Sequence, residues 1–324
     1  MSPSVSASAR LSAHQVVAEV VRSGFVEGHH HGSVVALAAD GSVLWSLGDV
    51  VSPMFPRSSN KPMQAVGMLR CGLDLDGALL ALAAASHSGE PFHLDGVRRI
   101  LAGAGLDESA LQTPPELPVE ERVREAALRA GLRPASILMN CSGKHAAMLA
   151  TCVHNGWDVT TYRDPEHPLQ VALCSAMEAL TDVPVEAVGV DGCGAPLFAS
   201  TLVGLATAFS RLALAQPGTA EHRVAAAYRE FPDYASGSER DEARLLRALP
   251  GTIGKGGAEA VYAVALPDGR AVALKIDDGG GRARAVVMAA ALRRLSVTHP
   301  LLDELGAAPI FGGGERVGEV RATL

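Results

Sequence analysis

The sequence contains no apolar stretch long enough to cross a membrane. Its longest uninterrupted apolar runs, Leu79 to Ala85 and Ala285 to Leu292, fall far short of the ~20 residues that a membrane-spanning helix needs. No positively charged leader precedes an apolar segment with a cleavage site. We therefore expect a cytoplasmic protein without a membrane partner.

Cysteine and positive charge are also in short supply. Five cysteines in 324 residues are too few, and odd in number, for a disulfide framework, so we expect free thiols in a reducing compartment. The net charge of -7 argues against nucleic acid and anionic membranes as partners. What is present, 48% apolar residues in a chain of this length, predicts a globular protein that buries roughly three quarters of its unfolded surface. This composition excludes disorder, collagen and coiled coil.

Lysine is rarer still, with four residues against 24 arginines. Because arginine supplies nearly all the cations of this chain, a position that keeps lysine is informative. A buried lysine can lose its proton, whereas arginine stays charged. The lysines are therefore candidates for chemistry, with random drift as the alternative for any one of them; they are Lys61, Lys144, Lys255 and Lys275.

The order of the secondary-structure patterns predicts strands at both chain ends. β-rich segments lie at 16–21 and 33–47 and again at 258–276, the last two each folding over an Asp-Gly turn. Between them, from 62 to 249, the patterns are helical, and one more helix is predicted at 282–295.

We therefore expect an α+β fold with one antiparallel sheet built from both chain ends and flanked by helices, plus an all-helical lobe. In this division, residues 15–61 and 250–324 form a mixed sheet and helix lobe, and residues 62–249 form a mainly helical lobe. Residues 1–14, rich in Ser and Ala, are predicted to be a flexible terminus.

The strongest local signal for chemistry is a Ser-x-x-Lys motif, Ser58 to Lys61, directly before a helical pattern. Residues i and i+3 share a face at the start of a helix, so a neutral Lys61 would take the proton of Ser58 and make it a nucleophile. The alternative is a serine cap beside a solvated lysine.

Two further polar motifs are candidates for chemistry. The run from Ser86 to Glu90 offers a second hydroxyl and a carboxylate for a substrate amine, or else merely ends a helix at Gly89. Lys255 with two glycines opens a strand and is similar to the Lys-Thr-Gly element of serine penicillin-recognising enzymes, with a glycine-rich turn as the alternative.

Two cysteines lie in glycine-containing polar motifs, Cys141 before a helix and Cys193 between a short strand and a helix. A helix N-terminus lowers the pKa of a thiol, which suits metal ligation or redox chemistry. Two cysteines with neighbours such as Lys144 or His145 would make an irregular zinc site, unlike a paired Cys-x-x-Cys set.

Taken together, these motifs resemble the asparaginases of the Rhizobium etli type, also called class 3 or the asparaginase II family. The resemblance spans nearly the whole chain. Its segments are Phe-Pro-Arg-Ser-x-x-Lys-Pro at 55–62, Ala-Ser-His-x-Gly-Glu at 85–90, Asn-Cys-Ser-Gly-Lys-His at 140–145, His-Pro-x-Gln at 167–170, Asp-Gly-Cys-Gly-x-Pro at 191–196, Lys-x-Gly-Ala-Glu at 255–259 and Asp-Asp-Gly at 277–279.

The resemblance implies a fold like that of serine β-lactamases and glutaminases, and an amidohydrolase that converts L-asparagine to L-aspartate and ammonia. It implies Ser58 as nucleophile with Lys61 as its base, and Ser86 with Lys255 as a second serine–lysine pair. It also implies a homodimer. The candidate substrate-binding residues are Arg57, His87, Glu90, Asn140 and Asp191.

The resemblance further implies one zinc ion and no organic cofactor. Its ligands would be Cys141, Cys193 and, unusually, the Lys144 amine, which must be neutral to bind a metal. Since serine supplies the nucleophile, the ion would orient or confine the substrate. Two other functions stay open: a glutaminase or other serine hydrolase of amides or β-lactams, and a zinc or thiol sensor built on the two cysteines.

Overall fold

The computed structural model describes residues 14–324. The predicted flexible terminus, residues 1–14, thus lies outside the described residues except for its last position. Within residues 14–324, no helix is both long and apolar enough to span a membrane.

The strands of the main sheet come from both ends of the chain. Seven of them lie in the order β6-β7-β8-β2-β1-β10-β9, and β3 pairs with β2; β4 and β5 form a separate hairpin. All pairs are antiparallel. The strands are β1 (Gln15–Arg22), β2 (Phe25–Leu37), β3 (Val43–Leu47), β4 (Val188–Val190), β5 (Pro196–Phe198), β6 (Ile253–Gly257), β7 (Val261–Ala265), β8 (Ala271–Ile276), β9 (Ala308–Gly312) and β10 (Glu315–Ala322).

Most helices come from the middle of the chain. They are α1 (Lys61–Arg70), α2 (Gly77–Ala83), α3 (Pro91–Gly103), α4 (Glu121–Arg129), α5 (Ser142–Asn155), α6 (Pro168–Thr181), α7 (Leu202–Ala213), α8 (Ala220–Glu230), α9 (Pro232–Ala235), α10 (Asp241–Ala248), α11 (Arg284–Arg294) and α12 (Pro300–Leu305). Short 3-10 turns cover Arg57–Asn60, Glu108–Ala110 and Ser136–Leu138.

The sheet is covered by helices on both faces, as the alternation along β2 shows. Val35 and Leu37 belong to the larger apolar core, which includes buried residues of α1, α6 and α7. Val34 and Ala36 belong to the second core, with buried residues of α11 and α12. Because successive side chains of a strand point to opposite faces, β2 contributes to both cores.

The α+β class and a sheet built from both chain ends are confirmed. The exact division into lobes at 61/62 and 249/250 stays a prediction.

Two elements differ from the predicted pattern. Residues 196–198 lie within the segment predicted to be helical, but they pair with β4, and helix α7 begins only at Leu202, where Thr201 caps it. The helix at 282–295 is not the last element, since α12, β9 and β10 follow it. Gly313 and Gly314, both at positive φ, form the tight turn between β9 and β10.

Candidate active site

The Ser-x-x-Lys motif spans the junction between a 3-10 turn and helix α1. Arg57 starts the turn with φ at +52°, a strained conformation for a residue other than glycine. Strand β6 packs directly on the turn: a Cβ on Gly257 would lie 2.6 Å from the Pro56 carbonyl oxygen and 3.2 Å from the Ser58 nitrogen. Only glycine therefore allows this approach.

Ser58 and Ser59 differ in how their hydroxyls are used. Ser59 is buried and donates a hydrogen bond to the Lys255 carbonyl oxygen at 3.1 Å. Ser58 is partly exposed, and within residues 14–324 its hydroxyl makes no hydrogen bond. Of the two neighbouring hydroxyls, Ser58 is the one available to an incoming ligand.

The amine of Lys61 is buried and pairs with Ser86. Its Nζ donates to the Ser86 Oγ at 2.9 Å, to the Ala85 carbonyl oxygen at 2.6 Å and to the Cys141 Sγ at 3.0 Å. The hydrogen bond expected with Ser58 is therefore not formed. A buried amine needs acceptors, and the interior offers it a carbonyl, a hydroxyl and a thiol.

Lys255 is completely buried on β6. Its Nζ donates to the Gly256 carbonyl oxygen at 2.8 Å and lies 3.8 Å from the Glu242 Oε1. No hydrogen bond joins it to Ser86, its expected partner, within the described residues. Burial lowers the pKa of Lys255 to about 7, an effect that Glu242 opposes and the charge of Lys61 strengthens.

His87 joins the 86–90 loop to the start of α5. Its Nδ1 accepts from the Gly89 N–H at 3.1 Å, which leaves the proton on Nε2 to be donated to the Ser142 Oγ at 2.8 Å. Burial holds the pKa of His87 well below its usual value. As placed here, the imidazole is neutral and both of its nitrogens are bonded within the protein.

Glu90 is similarly engaged. Its two oxygens accept from the N–H and hydroxyl of Ser238 at 2.9 and 2.7 Å, and it caps α3 reciprocally with His93. Asn140 accepts a hydrogen bond from the Cys141 thiol at 3.1 Å. Substrate contacts of Glu90 and Asn140 remain predictions that would have to compete with these bonds.

Arg57 and Asp191 come together as an ion pair. The Arg57 Nε lies 2.8 Å from Asp191 Oδ1, and its Nη1 lies 3.3 Å from the Glu259 carboxylate, which no motif had singled out for this role. Both carboxylates are therefore held by the residue that directly precedes Ser58 in the chain.

The two motif cysteines form one buried cluster with Lys144. Lys144 Nζ lies 3.3 Å from the Cys193 Sγ. The interaction between the two sulfurs lowers the pKa of Cys193 strongly and raises that of Cys141. The Nδ1 of His145 bonds the Tyr162 hydroxyl at 2.6 Å, whereas its buried Nε2 has no hydrogen-bond partner among the described residues.

This donor set fits zinc in its chemistry. Two thiol sulfurs and an amine nitrogen are ligands that zinc accepts, and a buried imidazole nitrogen without a partner lies on the next residue. Among residues 14–324, no three His, Cys, Asp or Glu side chains are grouped to hold a metal. A site here therefore depends on Lys144 as the third donor.

A buried ionic network behind Lys255 was missed by the sequence analysis. Glu242, on the first turn of α10, is 1% exposed and accepts from Arg240 at 3.0 and 3.2 Å. Arg284, at the start of α11, lies 3.8 Å from the same carboxylate. An Arg-Asp-Glu sequence at a helix start looks like ordinary capping, so only the burial distinguishes it.

The fold and the site together define an α+β protein with a buried centre of serine, lysine and cysteine side chains. The chain belongs to the L-asparaginase II family, whose model matches residues 18–322. A search of curated proteins finds no match.

Several solved structures match this chain at low similarity. One is a β-lactamase from Mycobacterium bovis, with 15% identity over 82% of this chain and 95% of that chain and a TM-score of 0.43. A Bacillus glutaminase gives 12% identity, 82% and 91% coverage and a TM-score of 0.40. EstCE1, a hydrolase with promiscuous acyltransferase activity, is 13% identical over 77% of this chain and 91% of that chain, with a TM-score of 0.40. Similarity this distant carries no argument about substrate.

Proposed function

We propose that this protein is an L-asparaginase of the Rhizobium etli type, which hydrolyses L-asparagine to L-aspartate and ammonia. Membership of the L-asparaginase II family supports an amidohydrolase. The observation that carries the proposal is the buried contact of 2.9 Å between Lys61 Nζ and Ser86 Oγ, with Lys61 three residues after Ser58, whose hydroxyl makes no hydrogen bond within residues 14–324.

In the proposed reaction, the Ser58 oxygen attacks the carbon of the side-chain amide and its proton passes to a neutral amine. The oxyanion that forms is stabilised by backbone N–H groups near the start of the 3-10 turn. The carbon–nitrogen bond then breaks, and ammonia leaves with a proton returned through the lysine–serine relay. Water cleaves the aspartyl ester, which releases aspartate and restores the hydroxyl of Ser58.

Lys61 and Ser86 form the core of that relay, because a hydroxyl bonded to an amine can pass a proton in either direction. Lys255 supplies the second amine. With a pKa of about 7 it is neutral above neutrality and charged below it. If its neutral form is required, activity rises as the pH increases through about 7.

Arg57 and Asp191 are the proposed contacts for the charged end of the substrate. An α-carboxylate would bind the Arg57 guanidinium and an α-amine the Asp191 carboxylate. Their mutual ion pair, at 2.8 Å, supports this assignment, because it joins Asp191 to the residue that precedes Ser58 in the chain. Cys141, Cys193 and Lys144 would hold a zinc ion, which would orient or confine the substrate.

The test is ammonia release by the purified protein from L-asparagine and from L-glutamine, with Ser58→Ala alongside. We expect release from asparagine, lost by at least about 100-fold in Ser58→Ala. The matched control is Ser59→Ala, which removes the adjacent hydroxyl and should cost less than about tenfold because that hydroxyl bonds only backbone.

Intact mass measurement then identifies the serine that carries the aspartyl group. Release from glutamine alone would replace the proposal by a glutaminase. No release from either amide, with zinc supplied and the pH varied from neutral to alkaline, would overturn the assignment and favour the sensor.

A further inference from the structure

Glu242 belongs to none of the motifs, yet it pairs with a proposed catalytic amine. Its carboxylate lies 3.8 Å from Lys255 Nζ, and the two side chains are 1% and 0% exposed. A carboxylate and an amine removed from water are costly unless each has a partner. Glu242 and Lys255 therefore need neighbouring groups that compensate their charges.

Two of these neighbouring groups are arginines. Arg240 donates to both oxygens of Glu242, at 3.0 and 3.2 Å. Arg284 lies 3.8 Å from the same carboxylate, binds both oxygens of Asp241 at 2.8 Å and stacks 5.0 Å from the centre of the Tyr262 ring. The carboxylate is thus fixed from two sides.

Glycine at position 256 completes the fit. A Cβ there would lie 2.6 Å from the Glu242 Oε1 and 2.3 Å from the Arg284 Nη1. The glycine after Lys255 leaves room for the Glu242 carboxylate. Glu242 therefore packs directly against the strand that carries the Lys255 amine.

The balance of charge around Lys255 depends on Glu242. Arg240, Arg284 and the amine of Lys61 are all cations that disfavour a proton on Lys255. The Asp241 carboxylate accepts hydrogen bonds from Arg284. The Tyr262 hydroxyl is buried without a hydrogen-bond partner among the described residues. Without Glu242, the Lys255 amine would face cations on every charged side.

We propose that Glu242 is a positioning residue of this enzyme, whose buried carboxylate holds the Lys255 amine in place and keeps a counter-charge beside it. The inference builds on the proposed function only in taking Lys255 as a participant in the reaction. The contact between the two side chains does not depend on the substrate.

The scarcity of lysine makes a direct test possible. With four lysines in the chain, a protein labelled with ¹³C at the lysine ε-carbons gives four side-chain signals, and Lys255→Arg identifies the one from Lys255. We expect Glu242→Gln to move the titration of that signal to lower pH by about one unit or more. Arg240→Gln should move it to higher pH, because a cation is lost.

The matched control is Glu239→Gln, which makes the same change of charge at an exposed position three residues away. It should leave the Lys255 signal within about 0.3 pH units of its original midpoint, as expected for a screened surface charge. Unchanged titration in both Glu242→Gln and Arg240→Gln would overturn the inference. If Glu242→Gln does not fold, Arg240→Gln and the charge-keeping Glu242→Asp decide the matter, the latter with a shift smaller than half a unit.

Activity gives a second and separate reading. The part of the pH profile of kcat/KM that follows the titration of Lys255 should shift to lower pH in Glu242→Gln and to higher pH in Arg240→Gln. The KM should change less than about threefold. A merely structural role would lower the amount of folded protein without moving that part of the profile. Absence of amidohydrolase activity would sink the proposed function, yet the lysine titration would still show whether Glu242 controls Lys255.

Discussion

Lys144 and Lys255 are both buried almost completely, but they lie in opposite surroundings. Lys144 contacts the sulfur of Cys193 at 3.3 Å, and although burial lowers its pKa, the neighbouring sulfurs raise it above the usual value. Burial lowers the pKa of Lys255 to about 7, and three cations act in the same direction against the single carboxylate of Glu242. Burial alone therefore does not decide the charge of a lysine; the groups beside it do.

The difference suggests separate tasks for the two amines. The Lys255 amine gains and loses a proton near neutral pH, which suits proton transfer. The Lys144 amine keeps its proton beside the sulfurs, which suits an electrostatic task. Lys61 acts on both surroundings, because its amine contacts Cys141 of the sulfur cluster and its charge lowers the pKa of Lys255.

The largest expected effect comes from removing the titration of Lys255. In Lys255→Arg the charge persists at all working pH values, so a step that needs a neutral amine fails. We expect the kcat for asparagine to fall by about 10²–10⁴-fold, the usual contribution of acid–base catalysis, as measured by ammonia release.

The control for that variant is Lys275→Arg, the same change at a partly buried lysine that bonds backbone oxygens. It should lose less than about threefold. If Lys255→Arg keeps more than a tenth of the activity, the two buried lysines do not differ in the way proposed.

A smaller effect is expected at the sulfur cluster. Cys193→Ser removes one sulfur donor, and since loss of even an outer partner of a metal site costs about 10–100-fold in affinity, a ligand costs at least that much. Equilibrium dialysis against zinc measures it, with Cys174→Ser as control, because that cysteine lies on α6 and is partly exposed. Equal zinc binding by the two variants would rule out the proposed ligands.

The smallest expected effect is on stability and comes from two glycines, Gly143 before Lys144 and Gly256 after Lys255. A Cβ on Gly143 would meet the Leu82 carbonyl oxygen at 2.6 Å, whereas one on Gly256 would meet the ends of the Glu242 and Arg284 side chains. Backbone yields less than side chains, so Gly143→Ala should lower the free energy of unfolding by about 1–3 kcal/mol and Gly256→Ala by less.

Urea unfolding measures this difference, and Gly103→Ala serves as the control. That glycine is the last residue of α3 and has nothing within 4 Å of its would-be Cβ, so alanine should be neutral or stabilise by up to about 1 kcal/mol. A larger loss of stability in Gly256→Ala than in Gly143→Ala would contradict the comparison.

Much of the architecture could be predicted because its signals are local. The Asp-Gly turns and the glycine and proline boundaries lie within a few residues of the elements that they delimit. The hairpin of β9 and β10 escaped notice because charged residues interrupt its alternation, as in Glu315, Arg316 and Glu319. Its pairing with β1, nearly 300 residues away in the chain, stabilises it where local pattern does not.

For the site, the residue types and the motifs followed from the sequence alone: the serines, the lysines that an arginine-rich chain keeps, and the two cysteines. Which of them meet was decided by packing. Lys61 bonds Ser86, 25 positions away, rather than Ser58 on the adjoining turn, and Lys255 faces Glu242 rather than a serine. Local spacing places side chains only within one helical turn or strand, whereas a buried charge takes whichever partner the packed helices and strands bring to it.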